Sequence, residues 1–566
     1  MDRNLMRRKH AWWQNLGKPQ YGDEIIIRSN KNIVNFDPYF AEALTTIHSA
    51  WMERLVADDW TISPEKWDYR THFRFDPYVK GCLAQRYDFK DSNTCVVHLR
   101  KGIHWQDILP VNGREFTADD VAYHYHRLFD LGSGLAPSPY HANVVTAYRD
   151  MISVTATDKY TVVFKWKTPG IEFMRETLYA PTNASCIEPR EAVEKWNDLN
   201  DWHHAIGTGP FIMQDFDSGK SATLVKNPNY WGYDEGYPKN RLPYIDKLKF
   251  LIIPDDELAL EAMCDGKVDI MDGISLRQSQ VLKKTNPEIP QLTIPAGTAE
   301  TIDPRNDVVP FNDIKVRKAM QLALDLRDIA KMYYDDTVEP YPCALTSRYM
   351  KGWGFQYEEW PQDLKNEYAY NPNRARELLA EAGYPNGFKT NVLADKEGDL
   401  ALLSIAKTYF ARIGIDMEIR TVSTDVWISD VKKGHKHDQL AHRTGQGQLG
   451  HDIEPLRQLN PLLAGYPSNY LMISDPMAGA FYTKALSTKN IDDMKHVMRE
   501  ANEYFARRHF TISLLHPMKY YPYQPWLKGY NGQNSSIATG IGGPAFLFFY
   551  PARFWIDQKL KREMGH

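Results

Sequence analysis

The chain has 566 residues, well above the ~250–300 residues at which a single hydrophobic core stops growing, so at least two structural units are expected. Lysine and arginine number 68 against 72 aspartates and glutamates, and this net charge of −4 argues against the basic field of a nucleic-acid-binding protein. No run approaches the ~18 apolar residues that a membrane span requires, so no span is expected. The aromatic fraction of 13% fits either ordinary packing or a ligand site walled by rings.

The N-terminus is basic but carries no complete export signal. The arginines and the lysine between residues 3 and 9 are typical of the charged start of a signal peptide. Residues 11–17, however, are too short and too polar for the apolar stretch that should follow. Either a signal has been cut away or replaced, or it was never present, and residues 1–20 are interpreted as an N-terminal tail.

The first predicted elements are a strand, a helix and a hairpin. Residues 21–27 are expected to form the strand and residues 47–56 the helix. The runs Gln85–Phe89 and Thr94–Leu99 can each alternate faces, and they flank a polar turn over 91–93. This pattern predicts a β-hairpin.

A helix should follow the hairpin, because Thr117 and Asp120 resemble a capping box ahead of the apolar positions Val121, Tyr125 and Leu128. Apolar spacing and turn residues predict further elements in chain order: a hairpin over 151–166, a strand over 244–254, a helix over 256–265 ended by Gly266, a helix capped by Asn312, a helix capped by Asn371 and ended by Gly383, a helix over 402–413 ended by Gly414, and a strand over 415–419. Helix, glycine and strand in that order predict α/β units with partly parallel sheets.

An enzyme is the main competing class of protein, but no catalytic motif is complete. Residues 218–221 end like a phosphate-binding loop, yet Gln214 stands where the first glycine is required, and the surroundings indicate a strand pair. His435 and His437 could lie on one face of an extended segment, although an exposed loop is the favoured interpretation over a metal site. No catalytic residue, metal ligand or cofactor is therefore predicted.

Motifs in a fixed order carry a resemblance to a known family. The hairpin ends in HLRKG at 98–102, and FTADDV follows at 116–121. Further matches come in the family's order: GTGPF at 207–211, NPNYW at 227–231, GKVDI at 266–270, PFNDIKVRKA at 310–319 and YNPNRARELLAEAGY at 370–384. Together they resemble the extracytoplasmic solute-binding proteins of ABC importers, family 5, the dipeptide-, oligopeptide- and nickel-binding type.

The resemblance implies an α/β fold of the periplasmic-binding-protein type II, with two lobes, a hinge between them and an additional domain inserted in the first lobe. Lobe I would comprise residues 21–45, 206–293 and 521–566, with the inserted subdomain at 46–205. Lobe II would comprise residues 294–520. Because the family's receptors work outside the inner membrane, a periplasmic or extracytoplasmic location is expected, and removal of an export signal becomes the favoured interpretation of the N-terminus.

The implied activity is binding and not catalysis. The protein would capture a peptide or a similar elongated polar solute between its lobes, close about the hinge, and deliver the solute to the transmembrane subunits of an ABC permease. It would act as a monomer, without a cofactor and without nucleic acid. An oligosaccharide or a metal chelate is the alternative solute, and a hydrolase or a protein-interaction scaffold is the alternative from another class.

The candidate ligand residues lie in segments that end at the cleft in the family. Asp452 lies where dipeptide-binding relatives have an aspartate that holds a peptide's amino group, but the tryptophan and the proline of that motif are missing, which puts peptide specificity in doubt. Core packing is the alternative explanation for the tyrosines. The full set is Thr301, Asp303, Arg443, Gln446, Gln448, Asp452, Tyr470, His516, Tyr520 and Tyr521.

Overall fold

The structure is a computed structural model that describes residues 12–40, 46–63, 79–131, 134, 137–138, 151–167, 185–271, 273–350, 352–445, 458–531 and 550–566. The described residues divide into two units. The first comprises those up to Ile294 and from Tyr520 onward, and the second comprises Pro295 to Lys519. None of the helices in these ranges combines the length and the apolar character needed to cross a bilayer.

The strands are numbered in chain order. They are β1 Glu24–Ser29, β2 Val56–Asp58, β3 Val79–Gly81, β4 Ala84–Phe89, β5 Thr94–Leu99, β6 Met151–Asp158, β7 Thr161–Trp166, β8 Phe211–Asp217, β9 Ser221–Lys226, β10 Lys247–Ile252, β11 Gln291–Pro295, β12 Thr301–Pro304, β13 Phe388–Asp395, β14 Ile415–Val422, β15 Leu440–His442, β16 Ile512–Ser513, β17 Met518–Pro522, β18 Leu527–Lys528 and β19 Trp555–Ile556.

The α-helices are numbered in the same way. They are α1 Ala118–Phe129, α2 Arg190–Trp196, α3 Asp256–Cys264, α4 Leu276–Thr285, α5 Ile314–Leu322, α6 Leu326–Tyr334, α7 Gln362–Tyr368, α8 Pro372–Glu381, α9 Leu400–Ala411, α10 Thr424–Trp427, α11 Pro476–Leu486, α12 Ile491–Arg508 and α13 Gln558–Glu563, with a π-helical turn over Ile428–Lys433 directly after α10.

The first unit contains two four-stranded sheets. One has the order β1-β10-β9-β8, with β1 parallel to β10 from Glu24 opposite Lys247 to Ser29 opposite Ile252. The other has the order β4-β5-β7-β6 and joins the two predicted hairpins, both of which are confirmed. The strand pair predicted around residues 218–221 is also confirmed, because β8 and β9 pair on either side of that turn.

Local signals placed two helices of the first unit correctly. The Thr117 N–H donates to Asp120 Oδ2 at 2.9 Å, and α1 follows with Val121, Tyr125 and Leu128 buried. Helix α3 ends at Cys264, and Gly266 adopts a φ of +69°, as its missing Cβ allows.

The helix predicted over 47–56 is wrong. A 3₁₀ turn covers only Thr46–Ala50, and β2 begins at Val56. The backbone between them bonds to distant parts of the chain: the Trp51 carbonyl accepts from the Gly209 N–H, and the Leu55 carbonyl accepts from the N–H groups of Cys82 and Ala84. These long-range bonds use the carbonyls that a helix would need for itself.

The second unit is built on one five-stranded sheet of order β14-β13-β15-β12-β16. Strand β13 runs parallel to β14 and to β15, as the helix–glycine–strand pattern predicted, while β12 is antiparallel to β15 and β16. Helices α5, α6, α8 and α9 supply apolar residues to a core against this sheet. Asn371 caps α8 with Pro372 at its first position, as predicted, whereas Asp313 and not Asn312 caps α5, because its carboxylate accepts from the Lys315 N–H at 2.8 Å.

Candidate functional site

Strand direction brings polar residues together at one edge of the second unit's sheet. Asp395 is the last residue of β13 and His442 the last of β15, whereas Thr301 is the first residue of the antiparallel β12. The carboxyl ends of β13 and β15 therefore meet the amino end of β12. We call Glu300, Thr301, Asp395, His442 and Arg443 the polar edge. In open α/β sheets, ligands bind outside the carboxyl ends of the strands.

Arg443 supplies the cationic group of the polar edge. Its Nε donates to Asp395 Oδ2 at 2.9 Å, which is its one hydrogen bond to the described residues. Its guanidinium carbon lies 5.7 Å from the centre of the Trp427 ring. Asp395 Oδ1 also accepts from Thr424 at 3.0 Å, so the carboxylate is anchored from two sides. Arg443 is thus oriented while its side chain stays 22% exposed.

Glu300 and His442 are buried on the same edge. Glu300 Oε1 accepts from the Gly445 N–H at 3.0 Å. Burial raises the pKa of Glu300 to about 8, and the charge of Asp399 adds to the rise. Burial lowers the pKa of His442, whose Nδ1 lies 2.8 Å from the Thr301 carbonyl. Both side chains are therefore neutral near pH 7.

Asp303 and Tyr470 form a buried pair two residues further along β12. The Tyr470 hydroxyl donates to Asp303 Oδ2 at 2.7 Å, and burial raises the pKa of Tyr470. The Tyr470 ring packs edge-on against Trp427, with ring centres 5.5 Å apart. Both residues are almost fully buried. Both side chains are therefore engaged with other protein groups inside the second unit.

His516 lies elsewhere in the second unit. Its Nε2 is 2.5 Å from the Ala296 carbonyl, and its Nδ1 is 3.2 Å from Ser347 Oγ. Burial lowers its pKa to about 4, so the ring is neutral and donates from Nε2. Both ring nitrogens are engaged with protein groups, which is typical of a structural histidine.

The remaining predicted residues belong to the first unit or lie outside the described residues. Tyr520 and Tyr521 belong to the first unit, where the Tyr520 N–H and carbonyl bond to Ile274. Gln446, Gln448 and Asp452 lie outside the described residues. The structure therefore brings together Thr301 and Arg443 at the edge, while Asp303 and Tyr470 pair with each other inside the second unit.

One expectation about another residue is revised by the structure. His437 is buried 6.1 Å from the Tyr470 ring centre, so the exposed-loop interpretation is wrong for it. Within the described ranges, no group of three His, Cys, Asp or Glu side chains could hold a metal ion. Sequence reasoning missed Glu300, Asp395 and His442 as members of the edge. No strand predicted from the sequence ends at these residues, so the sequence analysis offered no signal for them.

Comparisons with known proteins identify the family. The sequence model for bacterial extracellular solute-binding proteins, family 5 Middle, matches residues 79–453, more than half of the chain. Heme-binding protein A of Haemophilus influenzae is 24% identical over 485 residues, covering 80% of this chain and 81% of that protein. Glutathione-binding protein GsiB of Shigella flexneri is 24% identical over 490 residues, covering 85% and 86%.

A solved structure agrees in fold. The periplasmic binding protein DppA of Helicobacter pylori, in complex with the peptide STSA, superposes with a TM-score of 0.73 at 21% identity, covering 95% of this chain and 99% of that one. The two-lobed α/β fold of solute-binding proteins predicted from the motifs is thereby confirmed. The chain belongs to the bacterial extracellular solute-binding proteins of family 5.

Proposed function

We propose that this protein is the solute-binding component of an ABC importer, which captures a peptide or a similar elongated polar solute and delivers it to a membrane permease. The observation that carries the proposal is the orientation of the Arg443 guanidinium at the polar edge. Asp395 holds its guanidinium through Nε, and none of the described residues accepts from its Nη groups, which are suited to donate to a carboxylate or carbonyl of the solute. Trp427 is buried, and its ring packs beside the guanidinium and helps to orient it.

The names of similar proteins support a peptide as the first solute to test. The Helicobacter pylori structure holds the peptide STSA, and the Shigella flexneri relative is named for glutathione. The Haemophilus influenzae relative is named for heme, so heme joins the oligosaccharides and nickel chelates as an alternative. A thermal-shift screen of these four classes should find one that stabilises the protein, by about 2.7 kcal/mol at 100 times its dissociation constant.

Arg443→Ala tests the role of the polar edge. With a solute found in the screen, the variant should bind about 10 to 150 times more weakly in calorimetry, since hydrogen bonds to charged groups contribute about 1.5–3 kcal/mol. Arg374→Ala on α8 is the matched control, because that arginine pairs with Glu377 and Glu381 on the helix surface. Equal affinity of Arg443→Ala and the control would remove Arg443 from the site.

Four further parts of the proposal have their own measurements. Closure of the lobes around the solute should lower the radius of gyration in small-angle scattering at saturating solute. Mass spectrometry should recover the solute unchanged after long incubation, whereas turnover at catalytic rates would favour a hydrolase. Cell fractionation should find the protein outside the inner membrane, and sedimentation should find a monomer.

A further inference from the structure

Glu300 and His442 face each other inside the second unit with one polar atom each left unbonded. Glu300 Oε2 and His442 Nε2 have no hydrogen-bond partner among the described residues, although both residues are 1% exposed or less. The two atoms lie 4.0 Å apart. This separation is too long for a hydrogen bond, which spans about 2.5–3.2 Å between heavy atoms. A buried polar atom without a partner destabilises the fold, so two such atoms side by side indicate a binding site for a bridging polar group.

The hydrogen bonds of His442 fix which nitrogen carries its proton. Nδ1 lies 2.8 Å from the Thr301 carbonyl, which can only accept, so Nδ1 donates. The neutral imidazole then has its lone pair at Nε2, and this atom is an acceptor. His442 Nε2 can therefore accept a hydrogen bond but cannot donate one.

Glu300 supplies the hydrogen-bond donor opposite His442. Its Oε1 is held by the Gly445 N–H, which orients the carboxyl group. Among the described residues, the charges of Asp399 and Asp303 raise the pKa of Glu300, and the charge of Lys519 lowers it. Burial and these carboxylates keep Glu300 protonated near pH 7, so Oε2 can carry the proton and donate.

A single oxygen about 2.8 Å from each atom satisfies both. It would accept from Glu300 and donate to His442. Only a group that accepts and donates through one atom can do this, which selects a hydroxyl or a water and rejects a carboxylate, an ammonium or an apolar group.

We propose that Glu300 and His442 form a buried, uncharged subsite that binds one O–H oxygen, either an ordered water or a hydroxyl group of the solute. Binding of a solute hydroxyl rests on the proposed function, since it requires a solute at the polar edge. Binding of an ordered water does not depend on the proposed function.

A crystal structure of the full chain without added solute tests the subsite directly. The expected result is an oxygen within hydrogen-bond distance of both Glu300 Oε2 and His442 Nε2. Glu300→Gln should keep this oxygen, because its amide nitrogen still donates, whereas Glu300→Leu should lose it. The proposal is overturned if the gap is empty, if the two side chains bond directly to each other, or if another side chain of the protein fills the position.

The source of the oxygen is decided with two probe peptides, STSA and its hydroxyl-free counterpart AVAA. If the solute supplies the hydroxyl, the wild type should prefer STSA by about tenfold. Glu300→Gln should retain that preference and Glu300→Leu should lose it. If both peptides bind equally and the crystal oxygen persists, the guest is water. If neither peptide binds but the oxygen is present, the subsite stands while the peptide proposal fails.

Discussion

Replacing Glu300 by glutamine should change how the stability of the second unit depends on pH. Glu300 is fully buried, and burial raises its pKa from 4.5 to about 8. Glutamine has nearly the same shape as the neutral acid but does not ionise. The variant therefore removes the titration while it retains a hydrogen-bond acceptor for the Gly445 N–H.

The expected size of the pH-dependent change in the free energy of unfolding follows from this pKa difference. A tenfold change in proton affinity corresponds to about 1.4 kcal/mol, so a rise from 4.5 to about 8 corresponds to about 5 kcal/mol. The sign is set by proton uptake. Between these two pH values the folded state binds the proton and the unfolded state does not, so the wild type loses stability as pH rises. The loss is absent below pH 4.5 and complete above about 8.

Thermal unfolding of the wild type and of Glu300→Gln across this range measures the effect. As pH rises, the melting temperature of the variant should increase relative to that of the wild type. The increase should be roughly 2–4 °C for each kcal/mol of stability in a unit of this size. Glu53 and Asp269 also have pKa values raised by burial, to about 7 and about 6, but they are present in both proteins and cancel in the difference. Glu397→Gln, which removes an exposed carboxylate from the same unit, is the control.

A difference between Glu300→Gln and the wild type that stays constant from low to high pH would refute the reasoning. It would mean that Glu300 has the same pKa in the folded and the unfolded state. The subsite proposed for it would then lose its donor.

Two further predictions concern other residues of the candidate site. Asp452→Ala should weaken solute binding by about 1.5–3 kcal/mol in calorimetry and leave the melting temperature without solute unchanged; a lower melting temperature with normal affinity would make it a structural carboxylate. Tyr470→Phe should lower the free energy of unfolding in urea by about 1–3 kcal/mol, because Asp303 is buried and loses a donor. An unfolding midpoint equal to that of the wild type would show that the hydrogen bond between Tyr470 and Asp303 contributes nothing to the free energy of unfolding.

Local chemistry in the sequence was enough to predict many of the elements. The Thr117–Asp120 capping box, the hairpin turn over 91–93 and the Asn371–Pro372 helix start each depend on neighbouring residues, and each is present in the structure. The family could also be predicted from the sequence, because its motifs recur in a fixed order.

Predictions failed where distant parts of the chain compete for the same backbone. Residues 47–56 have helical spacing, but the Trp51 and Leu55 carbonyls accept from residues far along the chain. No local pattern reports such partners. The capping of α5 by Asp313 in place of Asn312 is a smaller difference of one residue, since both side chains can accept from an exposed N–H group.

The sequence by itself determined the family, the α/β class and the region of the chain that supplies Thr301 and Arg443. Only the tertiary structure decided that Glu300, Asp395 and His442 join them, since these residues meet through the parallel and antiparallel pairing of β13, β15 and β12. It also decided that Asp303, Tyr470 and His516 are bonded internally. The physical reason is that burial and hydrogen bonding depend on which strands become neighbours, and this is a property of the whole packed unit, not of any short segment.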